Sequence, residues 1–479
     1  MSTMSDDSLF FTPATELAGL IRARQLSPVE LVTAVLARAE RLQPTLNCFI
    51  TLPPERALAE ARRAEDAIAA GRPLGALHGL PFTVKDLVNT EGVATTFGAV
   101  IHRDNVPAED AVSVARLRAQ GAILIGKTTT PEFGSGPLTN SPLFGSTRNP
   151  WNLSRTCGGS SGGAAAAVAA GIAPLAVATD GGGSTRIPAA CNGVVGIKQS
   201  VGVIPHSQAQ DLYGNQTYVT PMTRTVGDTA LMLQAMAGPS PVDPWSIGLR
   251  SHDYVAAAAN PGDLRGRRVL CCAAPPGRPV SADVALNFEA ALRTLKDLGA
   301  SIEYFDGEGF EVEPIWRAIN HTVWRARFGP LVERHPDSFS ETFRRQVESA
   351  AGVSGVEYQE AMFARSQLFK RVQALFERAD LLAMPTLTRS AVALEQDLFA
   401  PLDIDGRPYE NVRAHWYPWT MPFNMTGHPA ISLPSGFGSD GMPLGLQLVG
   451  RFQDDAALLG ASAAFETATG FMARRPALA

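Results

Sequence analysis

The chain has 479 residues, a net charge of −5 and 45% hydrophobic residues, which is enough apolar material for a large core. Its pI of about 6.0 provides no broad basic field, so nucleic acid and anionic membranes are not expected partners. The five cysteines lack metal-ligand spacing and suit a reducing compartment. The N-terminus has no secretory-signal pattern, so a soluble cytoplasmic protein is expected.

Hydrophobic periodicity predicts alternating helices and strands along the chain. Predicted helices cover residues 28–42, 54–70, 110–120, 283–298 and 456–469, and residues 311–379 are expected to be mainly helical. Predicted strands lie within residues 78–86, 122–127, 175–178, 194–204, 267–273, 301–305, 380–385, 429–434 and 445–449. Residues 205–250 are expected to form a polar loop followed by a helix. This order favours one large α/β unit, with residues 311–425 as a helical cap.

Residues 156–205 contain two Gly/Ser-rich segments, GGSSGG at 158–163 and DGGGSTR at 180–186, joined by an alanine-rich stretch that we expect to be helical. Glycine lets backbone amides approach a ligand closely. Ser184 follows three glycines, so the N–H groups from Gly181 to Ser184 (Gly181, Gly182, Gly183 and Ser184) can turn inward together, as an oxyanion hole requires.

A serine nucleophile needs a base, and no histidine stands at a telling distance from Ser184 in the sequence. Lys85 ends a predicted buried strand, where lysine is rare unless it is paired or catalytic. Burial lowers the pKa of an amine, so Lys85 could be that base, with Ser160 relaying the proton.

The residues alone leave other interpretations open. A G-x-S-x-G pattern surrounds Ser160 and also Ser161, although no apolar strand precedes it as a nucleophile elbow requires. GGSSGG could instead be a linker or a phosphate-binding turn, and Lys127 also follows a strand and could be the base. Residues more typical of a core or a pocket lining than of catalysis are Cys157, Cys191, His206 and His428.

The spacing of 24 residues between Ser160 and Ser184, with Lys85 upstream, occurs together with several further motifs. These are Gly126-Lys127-Thr128, Thr147-Arg148-Asn149-Pro150-Trp151, Pro221-Met222-Thr223-Arg224-Thr225-Val226, Gly427-His428-Pro429-Ala430 and Gly445-Leu446-Gln447-Leu448-Val449-Gly450. On these motifs, which span nearly the whole chain, the sequence resembles the amidase signature family of serine hydrolases.

The resemblance implies a single α/β/α domain over residues 1–479, with a mixed central sheet flanked by helices and a core at about 75–250 and 427–479. It implies that Ser184 is the acylated nucleophile, that Ser160, preceded by a cis peptide bond, bridges to it, and that Lys85 is the general base. The oxyanion hole would be formed by the amides of residues 181–184. Supporting roles fall to Ser161, Asp180 and Arg186. No metal or organic cofactor is implied.

The implied activity is hydrolysis of aryl or alkyl amides, with esters and carbamates (urethanes) as further candidate substrates, by a monomer or homodimer acting on small molecules. The alternative within the family is the catalytic subunit of a tRNA-dependent amidotransferase, which requires partner subunits. An apolar or aromatic substrate would suit the expected pocket residues Leu212, Tyr213, Tyr218, Trp416, Tyr417, Trp419 and Phe423. The competing interpretation is that these side chains are ordinary core.

Overall fold

The computed structural model describes residues 6–478. The prediction that the N-terminus lacks a secretory signal rests partly on residues 1–5, which lie outside the described residues. The helices are α1 (Asp6–Phe11), α2 (Ala14–Arg22), α3 (Pro28–Leu46), α4 (Pro54–Ala69), α5 (Val112–Ala119), α6 (Gly162–Ala169), α7 (Arg186–Asn192), α8 (Val226–Met236), α9 (Tyr254–Ala259), α10 (Ala282–Asp297), α11 (Glu313–Arg334), α12 (Glu341–Glu348), α13 (Gly355–Phe376), α14 (Val412–Trp416), α15 (Met421–Thr426) and α16 (Asp455–Thr469). Within residues 6–478, none of the helices combines the length and the apolar character needed to cross a membrane.

The strands are β1 (Phe49–Thr51), β2 (Pro81–Lys85), β3 (Ile123–Thr128), β4 (Asn140–Ser141), β5 (Gly145–Ser146), β6 (Arg148–Asn149), β7 (Asn152–Thr156), β8 (Leu175–Asp180), β9 (Val195–Lys198), β10 (Tyr218–Thr223), β11 (Arg268–Cys271), β12 (Ser301–Tyr304), β13 (Leu381–Pro385), β14 (Leu402–Ile404), β15 (Arg407–Tyr409), β16 (Ala430–Phe437) and β17 (Pro443–Gly450). Eleven of them form one sheet in the order β1-β3-β2-β8-β10-β9-β16-β17-β13-β11-β12. Strand β2 runs parallel to β3 and β8, and β11 runs parallel to β12 and β13. The strands between these two groups pair antiparallel. The predicted α/β fold with a mixed central sheet is therefore confirmed.

Both faces of this sheet are covered by apolar side chains. On β13, Leu381 and Ala383 join one hydrophobic cluster, whereas Leu382 and Met384 join another. Because successive strand residues point to opposite faces, the two clusters lie on opposite sides of the sheet. Helices α10 and α16 contribute to the first cluster and α13 contributes to the second. This two-sided core keeps the ends of the central strands, where the catalytic candidates lie, in fixed relative positions.

Helices α11, α12 and α13 lie between β12 and β13 in the chain. Trp316 of α11 packs into the second sheet cluster, and Phe328 of the same helix packs with Phe343 and Phe133 in a separate aromatic cluster. Helices α11 and α12 therefore rest on the loop that follows β3. The region predicted as a helical cap, 311–425, also contains β13, which belongs to the main sheet.

The predicted helix start at Pro28 is confirmed, because Ser27 Oγ accepts hydrogen bonds from the N–H groups of Val29 and Glu30. The prediction of a polar loop ahead of the helix in 205–250 was wrong, because β10 lies there between β8 and β9. Its polar residues and Pro221, which cannot donate to a ladder, hid this interior strand. The strand predicted over 194–204 is also shorter and ends at Lys198.

Gly163 at the start of α6 tests the closeness of this packing. A methyl group there would come within 2.3 Å of Thr129 Oγ1 and 2.6 Å of the Cys48 carbonyl oxygen. We expect Gly163→Ala to destabilise the fold by about 1–3 kcal/mol and to lower the midpoint of thermal unfolding. Gly19→Ala in α2 is the control, because it faces open space and alanine favours a helix by about 1 kcal/mol. A Gly163→Ala midpoint equal to that of the wild type would contradict this packing.

Candidate active site

The side chain of Lys85 ends in a cage of three hydroxyl groups. Its Nζ lies 2.7 Å from Ser160 Oγ, 2.9 Å from Ser161 Oγ and 2.8 Å from Thr179 Oγ1. Strand β2 is fully buried and runs beside β8, which carries Thr179, while the two serines immediately precede α6. The sheet thus brings three distant segments of the chain to one amine.

The hydrogen atoms in this cage are accounted for if Lys85 is neutral. Ser161 Oγ donates to the Thr179 carbonyl oxygen at 3.1 Å, so it can only accept from Lys85. A neutral amine has two N–H donors and one lone pair, so it can donate to Ser161 and Thr179 and accept the proton of Ser160. An ammonium group would have to donate to all three hydroxyls, and Ser160 could not then donate to it.

Burial favours the neutral form, because it lowers the pKa of Lys85 well below its ordinary value, although the charge of Asp180 opposes this. Lys127, the other candidate base, is also buried, and burial lowers its pKa to about 7. However, its Nζ donates to Thr90 Oγ1 at 2.9 Å and Thr95 Oγ1 at 2.7 Å and contacts the Val88 carbonyl. Lys127 therefore lies away from the serines, whereas Lys85 touches Ser160.

The two Gly/Ser-rich segments are joined through their backbones. The Gly159–Ser160 peptide bond is cis, as the family resemblance implies, and the Ser161 N–H donates to the Ser184 carbonyl at 3.1 Å. Ser160 is almost fully buried, whereas Ser184 is partly exposed. Both serines line the same cleft, but within the described chain their hydroxyls share no hydrogen bond. Catalytic contacts in a ligand-free site often tighten only when substrate binds.

Each carbonyl group of the glycine turn at 181–184 is held by a donor from elsewhere. Gly181 O accepts from Trp316 Nε1 at 2.8 Å, and Gly182 O accepts from Thr420 Oγ1 at 2.6 Å. Gly183 O accepts from the N–H of Ile187. The Gly183 N–H donates to Asp180 Oδ1 at 2.7 Å, which removes it from the predicted oxyanion hole in this conformation. The N–H groups of Gly181, Gly182 and Ser184 donate to no other group among residues 6–478.

Asp180 and Arg186 form a fully buried ion pair under this turn. Arg186 Nε and Nη2 donate to the two carboxylate oxygens of Asp180 at 3.0 and 2.9 Å. Arg186 also donates to Gln447 Oε1 at 2.8 Å and Asn424 Oδ1 at 2.6 Å. Burial opposes the ionisation of Asp180, but the charge and hydrogen bonds of Arg186 hold its pKa below the ordinary value. The turn is therefore fixed to the C-terminal part of the sheet.

A cleft with a volume of about 160 Å³ opens beside Ser160 and Ser184. An apolar cavity of about 150 Å³ accommodates a benzene molecule, so the cleft has room for a group the size of an aromatic ring. Much of its wall is aromatic, and this part is formed by Phe97, Phe133, Trp316, Trp324, Phe328 and Tyr417. The rings of Phe133 and Phe328 pack at 4.2 Å between centres.

Of the predicted pocket residues, the structure places only Tyr417 in the wall of this cleft. The side chains of Trp416, Trp419 and Phe423 are fully buried core, whereas Tyr213 is 75% exposed and Leu212 lies beside it in the same loop. Tyr218 is buried, with its Oη donating to the Asn424 carbonyl at 2.9 Å and Lys198 Nζ 4.1 Å from its ring centre. The competing interpretation, that these side chains belong to the core, therefore holds for Trp416, Trp419, Phe423 and Tyr218.

The cysteines and histidines that flank the catalytic candidates are not poised for proton transfer or attack at neutral pH. Burial raises the pKa of Cys157 to about 12 and that of Cys191 well above its ordinary value, so both are neutral thiols. Burial lowers the pKa of His428 to about 3, and its ring stacks on Phe376. His206 lines the cleft, and burial lowers its pKa to about 4.

Sequence reasoning missed Thr179 and the aromatic wall. Thr179 extends the alternation of Leu175 and Val177 along β8, which places it on the same side of the strand. The residues that α11 contributes to the wall could have been predicted from the sequence, because residues that recur at helical spacing lie on one face of a helix. Those that line the cleft from α11 are Trp316, Asn320, Trp324, Arg327 and Phe328.

Comparisons with known proteins show which family this chain resembles. The model of the family described as Amidase matches residues 30–459. The chain is 37% identical to an acylamidase of Rhodococcus erythropolis, with 99% of each chain covered. It is 35% identical to a glutamyl-tRNA(Gln) amidotransferase subunit of Moorella thermoacetica, over 98% of this chain and 99% of that one. A solved bacterial aryl acylamidase of the amidase signature family superposes with a TM-score of 0.90 at 29% identity, covering 97% of this chain and 99% of the other.

The buried pair under the glycine turn gives a stability prediction. Asp180→Asn leaves the Arg186 charge buried without its counterion, so we expect a loss of about 3–5 kcal/mol in unfolding free energy, measured by denaturant titration. Glu341→Gln is the matched control, because it removes the partner of Arg345 in an exposed pair on α12; its expected effect is less than about 1 kcal/mol. Equal stability losses in the two variants would argue against a structural role for the Asp180–Arg186 pair.

Proposed function

This chain belongs to the amidase family, and on that premise we propose that it is a free-standing hydrolase that cleaves the C–N bond of aryl and alkyl amides through an acyl-enzyme on Ser184. The observation that carries the proposal is the 2.7 Å contact between Lys85 Nζ and Ser160 Oγ in the wall of a cleft that also exposes Ser184. A base, a relay and a nucleophile are the groups that serine acyl transfer requires.

In the acylation step, the lone pair of neutral Lys85 takes the proton of Ser160 while Ser160 takes the proton of Ser184. Ser184 Oγ then attacks the amide carbonyl carbon, and the carbonyl oxygen becomes an oxyanion. The free N–H groups of Gly181, Gly182 and Ser184 are the donors proposed to stabilise that charge. The tetrahedral intermediate then collapses. Its C–N bond breaks as the proton passes from Lys85 through Ser160 to the nitrogen of the substrate, which leaves as an amine.

In the deacylation step, the same groups act on water. Ser160, backed by Lys85, removes a proton from a water molecule that attacks the ester carbonyl of the acyl-enzyme, and the proton returns to Ser184 as the acid departs. Asp180 and Arg186 have supporting roles, because they hold the glycine turn. Ser161 accepts an N–H of Lys85 and so directs the lone pair of the amine towards Ser160.

The cleft supports an aryl or alkyl substrate, because six aromatic side chains line it and its volume fits one ring. Relatives named acylamidase and aryl acylamidase support the same substrate class. Esters and carbamates present a carbonyl to the same nucleophile and are proposed as further substrates. A cytoplasmic location and a monomeric or homodimeric state stay predictions.

The alternative is a transamidation component that works on a misacylated tRNA beside partner subunits, for which the relative from Moorella thermoacetica is the supporting observation. The two functions differ in what the single chain can do. A free-standing amidase hydrolyses small amides alone, whereas a transamidation component gains activity only with its partners.

The first functional prediction concerns the nucleophile. The purified chain is expected to hydrolyse members of a panel of nitroanilides, esters and carbamates, and a fluorophosphonate is expected to label Ser184, as located by peptide mass spectrometry. Ser184→Ala should abolish labelling and lower kcat by about 10⁴-fold or more. Ser251→Ala, at an exposed position, is the control. Activity that appears only beside partner subunits would replace this proposal with the transamidation function.

The second functional prediction concerns the base. Lys85→Met should lower kcat by about 10²-fold or more because it removes proton transfer, whereas Lys127→Met should change kcat far less, after correction for the folded fraction. Because Lys85 must be neutral to act and burial lowers its pKa well below the ordinary value, activity should extend well below the pH range in which an ordinary lysine becomes protonated. It should fall only as the pH drops through that lowered pKa. A Lys85→Met enzyme with a near-normal kcat would refute the assignment.

A further inference from the structure

We propose that Trp316 is a positioning residue of the oxyanion hole: its indole N–H fixes the Gly181–Gly182 peptide so that the Gly182 N–H can meet the oxyanion. The inference rests on the proposed function, because it assigns a further residue to the same reaction. Trp316 does not act on the substrate through its N–H, since that group is bonded to the backbone of the glycine turn.

The contact joins the cap to the catalytic turn. Trp316 lies in the first turn of α11, is 5% exposed, and its Nε1 donates to the Gly181 carbonyl oxygen at 2.8 Å. The guanidinium carbon of Arg413 lies 5.3 Å from the centre of the indole ring. The Arg413 guanidinium is itself held by Tyr417 Oη at 3.1 Å and by the Ser135 carbonyl at 3.1 Å. The indole is therefore held in place from the side of the cap.

The direction of the Gly182 N–H follows from peptide geometry. A trans peptide is planar, with its C=O and N–H pointing in opposite directions, and among the described residues the cis bond is the one between Gly159 and Ser160. Holding Gly181 O against the indole therefore fixes the orientation of the Gly182 N–H. That N–H has no acceptor among residues 6–478, and Gly182 lines the cleft beside Ser184.

The neighbouring peptide is held in a different way. Thr420 Oγ1 donates to Gly182 O, and the N–H of the same peptide, on Gly183, donates to Asp180 Oδ1. That peptide is held by hydrogen bonds at both of its polar groups, whereas among residues 6–478 the Gly181–Gly182 peptide is held by one, from Trp316. Loss of the indole N–H would leave the catalytic peptide free to rotate while the rest of the turn stays anchored.

The surface of the indole also explains why residue 182 is glycine. A Cβ at this position would lie 2.9–3.0 Å from three atoms of the Trp316 ring system. The backbone of Gly182 thus packs directly against the indole, which keeps the donor and the Gly181 carbonyl in register. Trp316 both lines the cleft and orients the N–H group of Gly182, so its side chain serves binding and catalysis.

The test compares Trp316→Phe with Trp151→Phe. Trp151 is a matched control, because its Nε1 donates to the backbone carbonyl of Asn192 at 2.7 Å and it lies outside the cleft lining. Two rates are measured for each enzyme: kcat on an anilide, and the second-order rate constant for labelling of Ser184 by a fluorophosphonate, whose P=O oxygen occupies the oxyanion hole. A variant that replaces Trp316 with benzothienylalanine keeps the ring shape without the N–H and serves if the phenylalanine variant does not fold.

For Trp316→Phe and the benzothienylalanine variant we expect both rates to fall by about 10-fold or more, since one well-placed oxyanion donor is worth about 10²–10³ in rate. In the benzothienylalanine variant KM should change by less than about 3-fold, because the ring that lines the cleft keeps its shape. Trp151→Phe should keep both rates within about 3-fold of the wild type. Unchanged rates in the benzothienylalanine variant, or a change confined to KM, would overturn the inference. If the wild type is labelled but hydrolyses nothing, the proposed function fails, and the labelling rates still decide the role of Trp316.

Discussion

An amine carried into the interior of a sheet loses the water that stabilises its charged form, and within residues 6–478 Lys85 has no carboxylate at ion-pairing distance to replace it. Its three neighbours are hydroxyl groups, which can satisfy a neutral amine completely. Because the two N–H groups of the neutral amine donate to Ser161 and Thr179, the hydroxyl of Ser160 donates to its lone pair. The chemistry of the site therefore depends on the burial of β2, which lies between the parallel strands β3 and β8 and is contacted by helices α3 and α6.

The nucleophile side of the site depends on different supports. The glycine turn that presents Ser184 is held from below by Asp180 and Arg186 and from above by Trp316 and Thr420. These groups come from the centre of the chain, the cap and the C-terminal third. The base and the supports of the nucleophile are spread over residues 85–420, so the site draws on most of the chain.

Some of this arrangement could be predicted from the sequence, because the information is local. Lys85 ends an apolar strand and Ser184 follows three glycines, so strand periodicity and backbone freedom already indicate an interior amine and a turn of free amides. The residues alone already offered Lys85 as the base and Ser160 as its relay, the family resemblance implied the same roles, and the 2.7 Å contact between the two side chains agrees with them.

The parts that escaped prediction depend on contacts between distant segments. Thr179 completes the cage only because β8 lies beside β2, and the aromatic wall needs α11 to fold back over the loop of Phe133. The segments expected to line the pocket instead bury Trp416, Trp419 and Phe423 in the core. Strand β10 was missed because its interior position is set by the neighbouring strands rather than by its own polar composition.

The placement of the cap helices in the chain has one more consequence. Residues 305–380 leave the sheet at the end of β12 and return at the start of β13, and these two strands flank β11. Because these strands are parallel, the chain leaves one edge of the sheet and returns at the opposite edge, offset sideways by two strand spacings, about 10 Å. Insertions or deletions between α11 and α13 would not shift the register of any sheet strand. The helices beside the cleft can therefore change in length and sequence, and so in substrate preference, while the buried side chain of Lys85 keeps its surroundings.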